Sequence, residues 1–359
     1  MALGVGMVGI THSHSAMHLR TLTLLGEVAQ VALYDPLADA HPVARQHCPK
    51  AGESYTELGA LLERADLPVV IVALPTDQTP GAVARAAAAG KHVLCEKPVA
   101  RNAAELAPVV RALAEHGRTV GIFYTWRRHP VVCKLRELAH GGALGRITSV
   151  ELRMVTTQPR LRDPSHWLFR RDIAGGGVTS WLACHWLDAV RFITGDEVAA
   201  VSALTGTLSG EAIDVEDVSA VSFRLTGGAL GTLHAGYLIA EGPAGYEGTT
   251  MDAQLIVRGS LGRAEYIASP GGEQVVVLHS MAPGWQASER QTFAFKLRPS
   301  PAYGGAYGEE FVREFLAAAV GNGASPATIV HALRVVDILD AVYESAESGR
   351  RVEVARGAV

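Results

Sequence analysis

The sequence predicts two domains with different patterns: a parallel, doubly wound α/β domain over residues 1–123, then a domain over 124–359 dominated by antiparallel strands. Three observations predict this. A chain of 359 residues is too long for one simple core. Its first third alternates strand-like and helix-like segments, the pattern of crossover units in a parallel sheet. After Phe123 helices become few and period-two strands take over.

The elements follow in order. Gly4 to Gly9 is a buried strand pattern, Ser15 to Leu25 has helical apolar spacing, and Val28 to Tyr34 is strand-like. Helices are expected around Ala38 to Gln46 and Thr56 to Arg64. Val69 to Ala73 is a β-branched run suited to a strand buried on both faces. The alanine-rich helix Thr79 to Ala89 is stopped by Gly90, a strand runs from His92 to Cys95, and the helix Ala103 to His116 ends at Gly117. Thr119 to Phe123 closes the series. Beyond it, strands are expected at Ile147–Val155, Val198–Thr207, Val218–Leu225, Ala229–Leu238, Gln254–Arg258, Gly262–Ile267 and Gln274–His279, interrupted by one helix, Val178–Ile193. Two helices, around Gly308–Val320 and Ala327–Ser348, end the chain. In the second, Ile329, Leu333, Val336, Leu339 and Tyr343 share a face. Pro299 to Gly305 (PSPAYGG) reads as a loose loop and a candidate lid.

Composition narrows the function. With 48% hydrophobic and 19% charged residues and a net charge of −4, the chain reads as a soluble globular protein. No basic run or stripe points to nucleic acid, and no apolar stretch is long enough to span a bilayer. The start runs straight into a strand pattern, without the basic residues and cleavage site of a secretory leader. Cys48, Cys95, Cys133 and Cys184 lack metal-like spacing and read as reduced thiols, so a cytoplasmic location is expected.

The stretch VGITHSHSAMH, Val8 to His18, admits two readings. Two histidines one residue apart after a first strand resemble the metal ligands of amidohydrolases, but that reading needs eight βα units, and the chain offers about five. The favoured reading involves no metal and is a modified dinucleotide loop. The usual G-x-G-x-x-G assigns its glycines to a tight turn, close approach of the pyrophosphate and helix packing. Here Gly9 holds the first place, Thr11 the second and His14 the third. Helix N-terminal N–H groups still favour phosphate, and Thr11, Ser13 and Ser15 add hydroxyl donors. Asp35 ends the second strand where a carboxylate meets ribose hydroxyls and repels a 2′-phosphate, which favours NAD over NADP. Its plainer reading is a turn residue before Pro36.

The segment AGKHVLCEKPVA, Ala89 to Ala100, is more specific. With it the chain resembles the Gfo/Idh/MocA family (glucose–fructose oxidoreductase, inositol dehydrogenase, MocA) over almost its whole length. Pro75 follows a strand as in that family's turn, Glu96-Lys97-Pro98 matches its EKP signature, and Arg127 to Pro130 resembles the opening of its second domain. Gly175-Gly176-Gly177 with His185 and Asp188 matches its GGG…H-x-x-D element, and Tyr343 to Val354 its usual ending. The resemblance implies an α/β Rossmann domain plus an α+β domain with a large, mostly antiparallel open sheet. It implies a nicotinamide cofactor and a sugar or polyol held between the domains. It also implies homodimers or homotetramers built through the second-domain sheet.

Chemistry agrees with that implication. A secondary alcohol gives up hydride only if its proton leaves as well, and a histidine such as His185 is suited to take it. Lys97, beyond a strand's carboxyl end where ligands collect in such sheets, suits stabilisation of the alkoxide. The expected cofactor-binding residues are Gly9, Thr11, His14, Asp35, Pro75, Thr79, Glu96 and Lys97. The expected substrate-facing residues are Tyr124, Arg128, Trp167, Trp181 and His185. Three departures from the family stand out. Two loop glycines are replaced. Thr76-Asp77-Gln78-Thr79 stands where an asparagine and a histidine are usual. Trp181 stands where an aspartate often precedes the histidine. Trp181 is read either as a stacking platform for a sugar or as packed core. The arginine-rich stretch Arg160–Arg171 is read as a binding surface for a carboxylated or hydroxylated substrate, a solvated loop or an oligomer contact. The expected function is an NAD-dependent oxidoreductase acting on a sugar, polyol or glycoside. The alternatives are NAD-assisted glycoside cleavage by transient oxidation and elimination, and a non-catalytic ligand-binding member of the family.

Overall fold

The computed structural model describes residues 2–242, 250–268, 273–285 and 290–355. Two compact units emerge. The first takes Met1–Arg128 together with Arg298–Leu333, and the second takes His129–Leu297 with Arg334–Arg356. A single boundary at 123/124 therefore does not describe the division. The later segment returns to the first unit because its contacts lie there. Tyr303 N–H donates to Thr21 Oγ1 at 2.9 Å, Arg313 pairs with Glu27, and Ile122 N–H donates to Ala327 O. Pro299 to Gly305 is accordingly fastened by Tyr303, which is buried, and does not form a loose lid.

The first unit's six-stranded sheet is wholly parallel, in the order β3-β2-β1-β4-β5-β6, as expected of a Rossmann domain. Its strands are β1 Leu3–Val8, β2 Val28–Tyr34, β3 Ala51–Tyr55, β4 Val69–Val72, β5 His92–Cys95 and β6 Val120–Ile122. All four residues of β4 are buried, which is why an unbroken β-branched run serves there. Strand β3, AGESY, was not anticipated. It is an edge strand with two exposed positions and none fully buried, so it carries no apolar signal. The helix Thr79–Ala88 starts with proline near its first position, and Gly90, at φ +78°, ends it.

The second unit holds a nine-stranded sheet in the order β14-β13-β12-β11-β7-β10-β9-β8-β15. Its strands are β7 Ile147–Thr157, β8 Val198–Gly206, β9 Val218–Leu225, β10 Leu230–Ile239, β11 Met251–Gly259, β12 Gly262–Ile267, β13 Glu273–Ser280, β14 Gln291–Lys296 and β15 Val352–Glu353. Only β7 and β10 pair in parallel among the described residues, so the mostly antiparallel expectation holds. Strands β14 and β15 and the helix Pro130–His140 add to the expected elements. That helix is announced by His129, whose Nδ1 accepts from Val131 N–H, followed by Pro130 at the first helical position. The helix Cys184–Thr194 lies against the sheet. Its fully buried Trp186 donates from Nε1 to Arg153 O on β7 at 2.8 Å and to Gln254 O on β11 at 3.1 Å.

Candidate active site

In the first unit, chemistry gathers at the carboxyl ends of β1, β2, β4 and β5. The turn after β1 needs Gly9. Its φ is +87°, and a Cβ there would stand 2.1 Å from Ala73 O, inside any tolerable contact. The loop then closes on Asp35. This carboxylate, 1% exposed, takes Ile10 N–H, Thr11 N–H and the Thr11 hydroxyl on Oδ2, at 3.0, 3.1 and 2.9 Å. Its Oδ1 takes Leu37 N–H at 3.0 Å. The turn-residue reading of Asp35 is thus present in full, and it also organises the loop.

His14, at the third glycine's place, is buried. Its Nδ1 lies 2.9 Å from Glu96 Oε1, and His18 Nε2 lies 2.6 Å from the same oxygen. Because His18 Nδ1 is buried without a hydrogen-bond partner, the ring hydrogen of His18 belongs on Nε2, donating to Glu96. The Tyr303 ring packs against both imidazoles, at centroid distances of 4.9 and 4.5 Å, and Phe123 lies 4.3 Å from His18. Burial pushes the Glu96 carboxyl up, but the charge interaction and hydrogen bonds with His14 and His18 outweigh it and hold Glu96 well below the usual carboxylate range. Burial brings His14 down against the opposing pull of Glu96. The three residues place ligand atoms within 4.8 Å of one another. Separations of 2.6 and 2.9 Å are hydrogen-bond lengths, whereas two ligand atoms about 2.0–2.1 Å from a tetrahedral zinc stand roughly 3.3 Å apart. The cluster is built as donors around a carboxylate.

Lys97 follows directly. It is 2% exposed, an unusual state for a lysine, and its N–H donates to Glu96 Oε2 at 3.1 Å. The Lys97–Pro98 peptide is cis. The structure thus brings Glu96, Lys97, His14 and His18 together, and Gly9, Thr11 and Asp35 into one loop. Two expected residues have other work. The Thr79 hydroxyl donates to Leu74 O and Pro75 O, so it secures the turn after β4. The Arg128 guanidinium is committed to Glu314, with Nε and Nη2 both on the carboxylate, because the returning helix Gly305–Ala319 brings that acid alongside. Tyr124 is buried beyond β6, and Pro75 ends β4's outward turn half-buried.

In the second unit, two of the three glycines, Gly176 and Gly177, are explained by close contacts. A Cβ on Gly176 would meet Tyr343 Oη at 1.9 Å, and one on Gly177 would meet Glu216 O at 1.9 Å. Into this close approach comes the buried Glu216 carboxylate. It accepts from Gly177 N–H at 2.8 Å, Thr179 N–H at 3.0 Å and the Tyr343 hydroxyl at 3.0 Å. Burial, then the neighbouring Glu216 charge, pushes the Tyr343 hydroxyl well above its usual range. The chain continues through a π-helical turn, Thr179–Ala183, into the helix Cys184–Thr194. Such wide turns recur at functional sites. His185 stands in that helix's first turn, 6% exposed. Asp188 faces Arg191, which also grips Glu197 through Nε and Nη2.

Trp181 is 2% exposed and meets the Trp167 ring edge-on at 5.7 Å, so of its two readings the packed-core one describes its surroundings. Much of the arginine-rich stretch is engaged internally. Arg162 bonds Thr156 Oγ1 and Thr157 O and lies over the Tyr237 ring, while Arg160 bonds Gln158 and Ala240 O. Sequence reasoning missed Glu216 and Tyr303. Nothing local marks Glu216 among neighbouring acids, and Tyr303 sits in a stretch read as a loose loop.

Comparison with known proteins agrees with this layout. A family model described as "Oxidoreductase family, NAD-binding Rossmann fold" matches residues 3–124, and one described as "GFO/IDH/MocA C-terminal domain" matches residues 132–265. A levoglucosan dehydrogenase of Pseudarthrobacter phenanthrenivorans is 26% identical over 400 residues, covering 98% of each chain. An inositol 2-dehydrogenase of Rhizobium meliloti is 26% identical over 225 residues, 62% of this chain and 63% of its own. A solved levoglucosan dehydrogenase in complex with NADH and levoglucosan superposes with a TM-score of 0.84 at 24% identity, covering 99% of this chain and all of its own. The chain therefore belongs to the Gfo/Idh/MocA family and is an NAD-binding oxidoreductase.

Proposed function

We propose that the protein is an NAD-dependent dehydrogenase or reductase acting on a CH–OH group of a pyranose, polyol or glycoside. The observation that carries this reading is Lys97, a nearly buried lysine beside an ionised, fully hydrogen-bonded Glu96, at a strand's carboxyl end. The near full-length likeness to a levoglucosan dehydrogenase supports it and points to cyclic sugars as the substrate class.

The residues that would hold the cofactor fit it. Gly9 keeps the tight turn that a Cβ would destroy, Thr11 and Ser13 are exposed ahead of the helix Ser15–Leu24, and Asp35, its oxygens held by Ile10, Thr11 and Leu37, fixes the loop and places a negative charge at the end of β2. Bound NAD supplies the hydride acceptor. In the oxidative direction the carbon's C–H pair leaves as hydride, and the hydroxyl proton passes to His185. The Lys97 ammonium stabilises the negative charge that builds on oxygen, a contribution of about 10²–10³-fold for a single well-placed donor.

The test is NADH formation with a panel of pyranoses, levoglucosan included, using wild type and Lys97→Met. Wild-type turnover is expected to vanish in the variant, with NADH affinity within a few-fold. A variant that turns over as before refutes the lysine's role. For assembly, the outer face of the second sheet, where Leu204 and Leu230 stand 73% and 60% exposed, is proposed to pair with a second copy in a dimer or tetramer. Sedimentation of Leu204→Lys checks it. Among the described residues no helix is long and apolar enough to cross a membrane. A cytoplasmic location is proposed on the four cysteines, none of which forms a disulfide.

A further inference from the structure

We propose that His14 and His18 are positioning residues for Lys97: both donate to one oxygen of Glu96 while its other oxygen receives the Lys97 N–H, tying the histidine-bearing loop to the turn that carries the lysine. The inference rests on the reading of Lys97 as the group that meets the substrate oxygen, and it adds two residues that act through Glu96.

Three observations carry it. A carboxylate gripped on one oxygen by two donors cannot rotate, so its second oxygen has a fixed direction toward the Lys97 backbone. The rings themselves have no freedom, because Tyr303 packs on both and Phe123 on His18. Finally, the ordinary loop puts a small residue at the third glycine's place so that helix and strand approach closely. Here His14 fills that space and spends its Nδ1 on the carboxylate that precedes the lysine. Loop and lysine turn are thus set by one buried group. The charged and titratable groups around Glu96 are His12, His14 and His18 from the loop and its helix, Cys95 from the end of β5, Lys97 from the turn beyond it, and Tyr303 of the returning segment, packed on the His14 and His18 rings. Both imidazoles and the Lys97 N–H converge on this one carboxylate, and the histidine partners favour its ionised form.

Side-chain amides distinguish a donor from a space-filler. Glutamine places an N–H where His18 Nε2 stands, asparagine where His14 Nδ1 stands, and phenylalanine fills either volume without donating. The full-length protein, labelled at glutamate carboxyl carbons, is titrated by carbon NMR, and the pH dependence of turnover is recorded with the pyranose found active. His18→Phe is expected to raise the Glu96 pKa by about one unit or more, a tenfold or larger change in its acid constant. The acidic limb of kcat should move up with it while NADH affinity changes little. His18→Gln should restore both. If His18→Phe does not fold, His14→Phe with His14→Asn as its rescue asks the same question of the other donor. An unmoved Glu96 titration in the phenylalanine variants overturns the proposal. So does a glutamine variant as impaired as phenylalanine, or stoichiometric zinc in the purified wild type. Lys97→Met separates the two readings. Turnover retained in it removes the lysine's role even where the Glu96 shift appears, whereas an inactive Lys97→Met with an unmoved Glu96 removes only the tie.

Discussion

His129 offers the sharpest test of the electrostatics. It is buried, its Nδ1 accepts from Val131 N–H at the start of the helix Pro130–His140, and burial brings its pKa down to about 3. A proton on Nδ1 would turn this acceptor into a donor facing a donor. In the unfolded chain the imidazole titrates near its ordinary value of about 6.5. The folded pKa is the lower one, so this residue's contribution is fully present above about 6.5 and is lost as pH falls toward about 3. Each unit in that window costs about 1.4 kcal/mol. Between pH 7 and pH 5 the loss is about 2 kcal/mol, and at the bottom of the window it approaches 5 kcal/mol. His129→Asn keeps a capping acceptor and removes the titration. Urea unfolding of both proteins at pH 7 and pH 5, followed by circular dichroism and tryptophan fluorescence, measures the difference. Other buried histidines, His12 and His14 among them, titrate in both proteins and cancel. The wild type is expected to lose about 2 kcal/mol more than the variant over this interval. Parallel pH dependences would refute the reasoning, and divergent probes would show that the two units unfold separately.

Further expectations follow from single contacts. Gly9→Ala forces a side chain into positive φ and against Ala73 O, and should cost about 3 kcal/mol or more together with NADH binding, read by urea unfolding and a fluorescence titration. Tyr343→Phe strips one hydroxyl donor from the buried Glu216 carboxylate, a loss of about 1.5–3 kcal/mol in chemical unfolding. Asp35→Ala removes the charge that disfavours a 2′-phosphate, so NADPH should gain about tenfold on NADH in competitive binding. The freed Ile10 and Thr11 amides should exchange faster with deuterium.

Elements with a strong local pattern were legible in the sequence: the β-branched β4, the alanine-rich helix after it, and the alternating strands β9 and β10. Those whose cause lies far along the chain were not. Strand β3 is polar and exists because β2 offers it an edge. The helix Pro130–His140 follows a stretch read for its motif, and its cap is a histidine, which is not among the usual capping residues. At the candidate site, motif residues identified Glu96, Lys97 and the three glycines, but not what each of them touches. The Glu96 partners lie 82 and 78 positions away, and Glu216 lies 39 positions from the Gly177 N–H that it holds. Arg128 was read as available for substrate because Glu314, 186 positions on, leaves no local trace. The two replaced glycines stood out as departures, and each substitute has a specific partner that lies far along the chain: Thr11 bonds Asp35, and His14 meets Glu96.

The return of Arg298–Leu333 to the first unit bears on how the chain is made. When residue 128 leaves the ribosome, the six strands exist, but Tyr303, which covers His14 and His18, and Phe315, which packs at Gly121, have not been translated. Roughly 200 residues, or about 10–40 s of synthesis, separate the nascent sheet from the segment that seals it. Over that interval the nucleotide-binding half waits with one flank open to chaperones. A fragment cut at residue 128 would keep that open flank permanently.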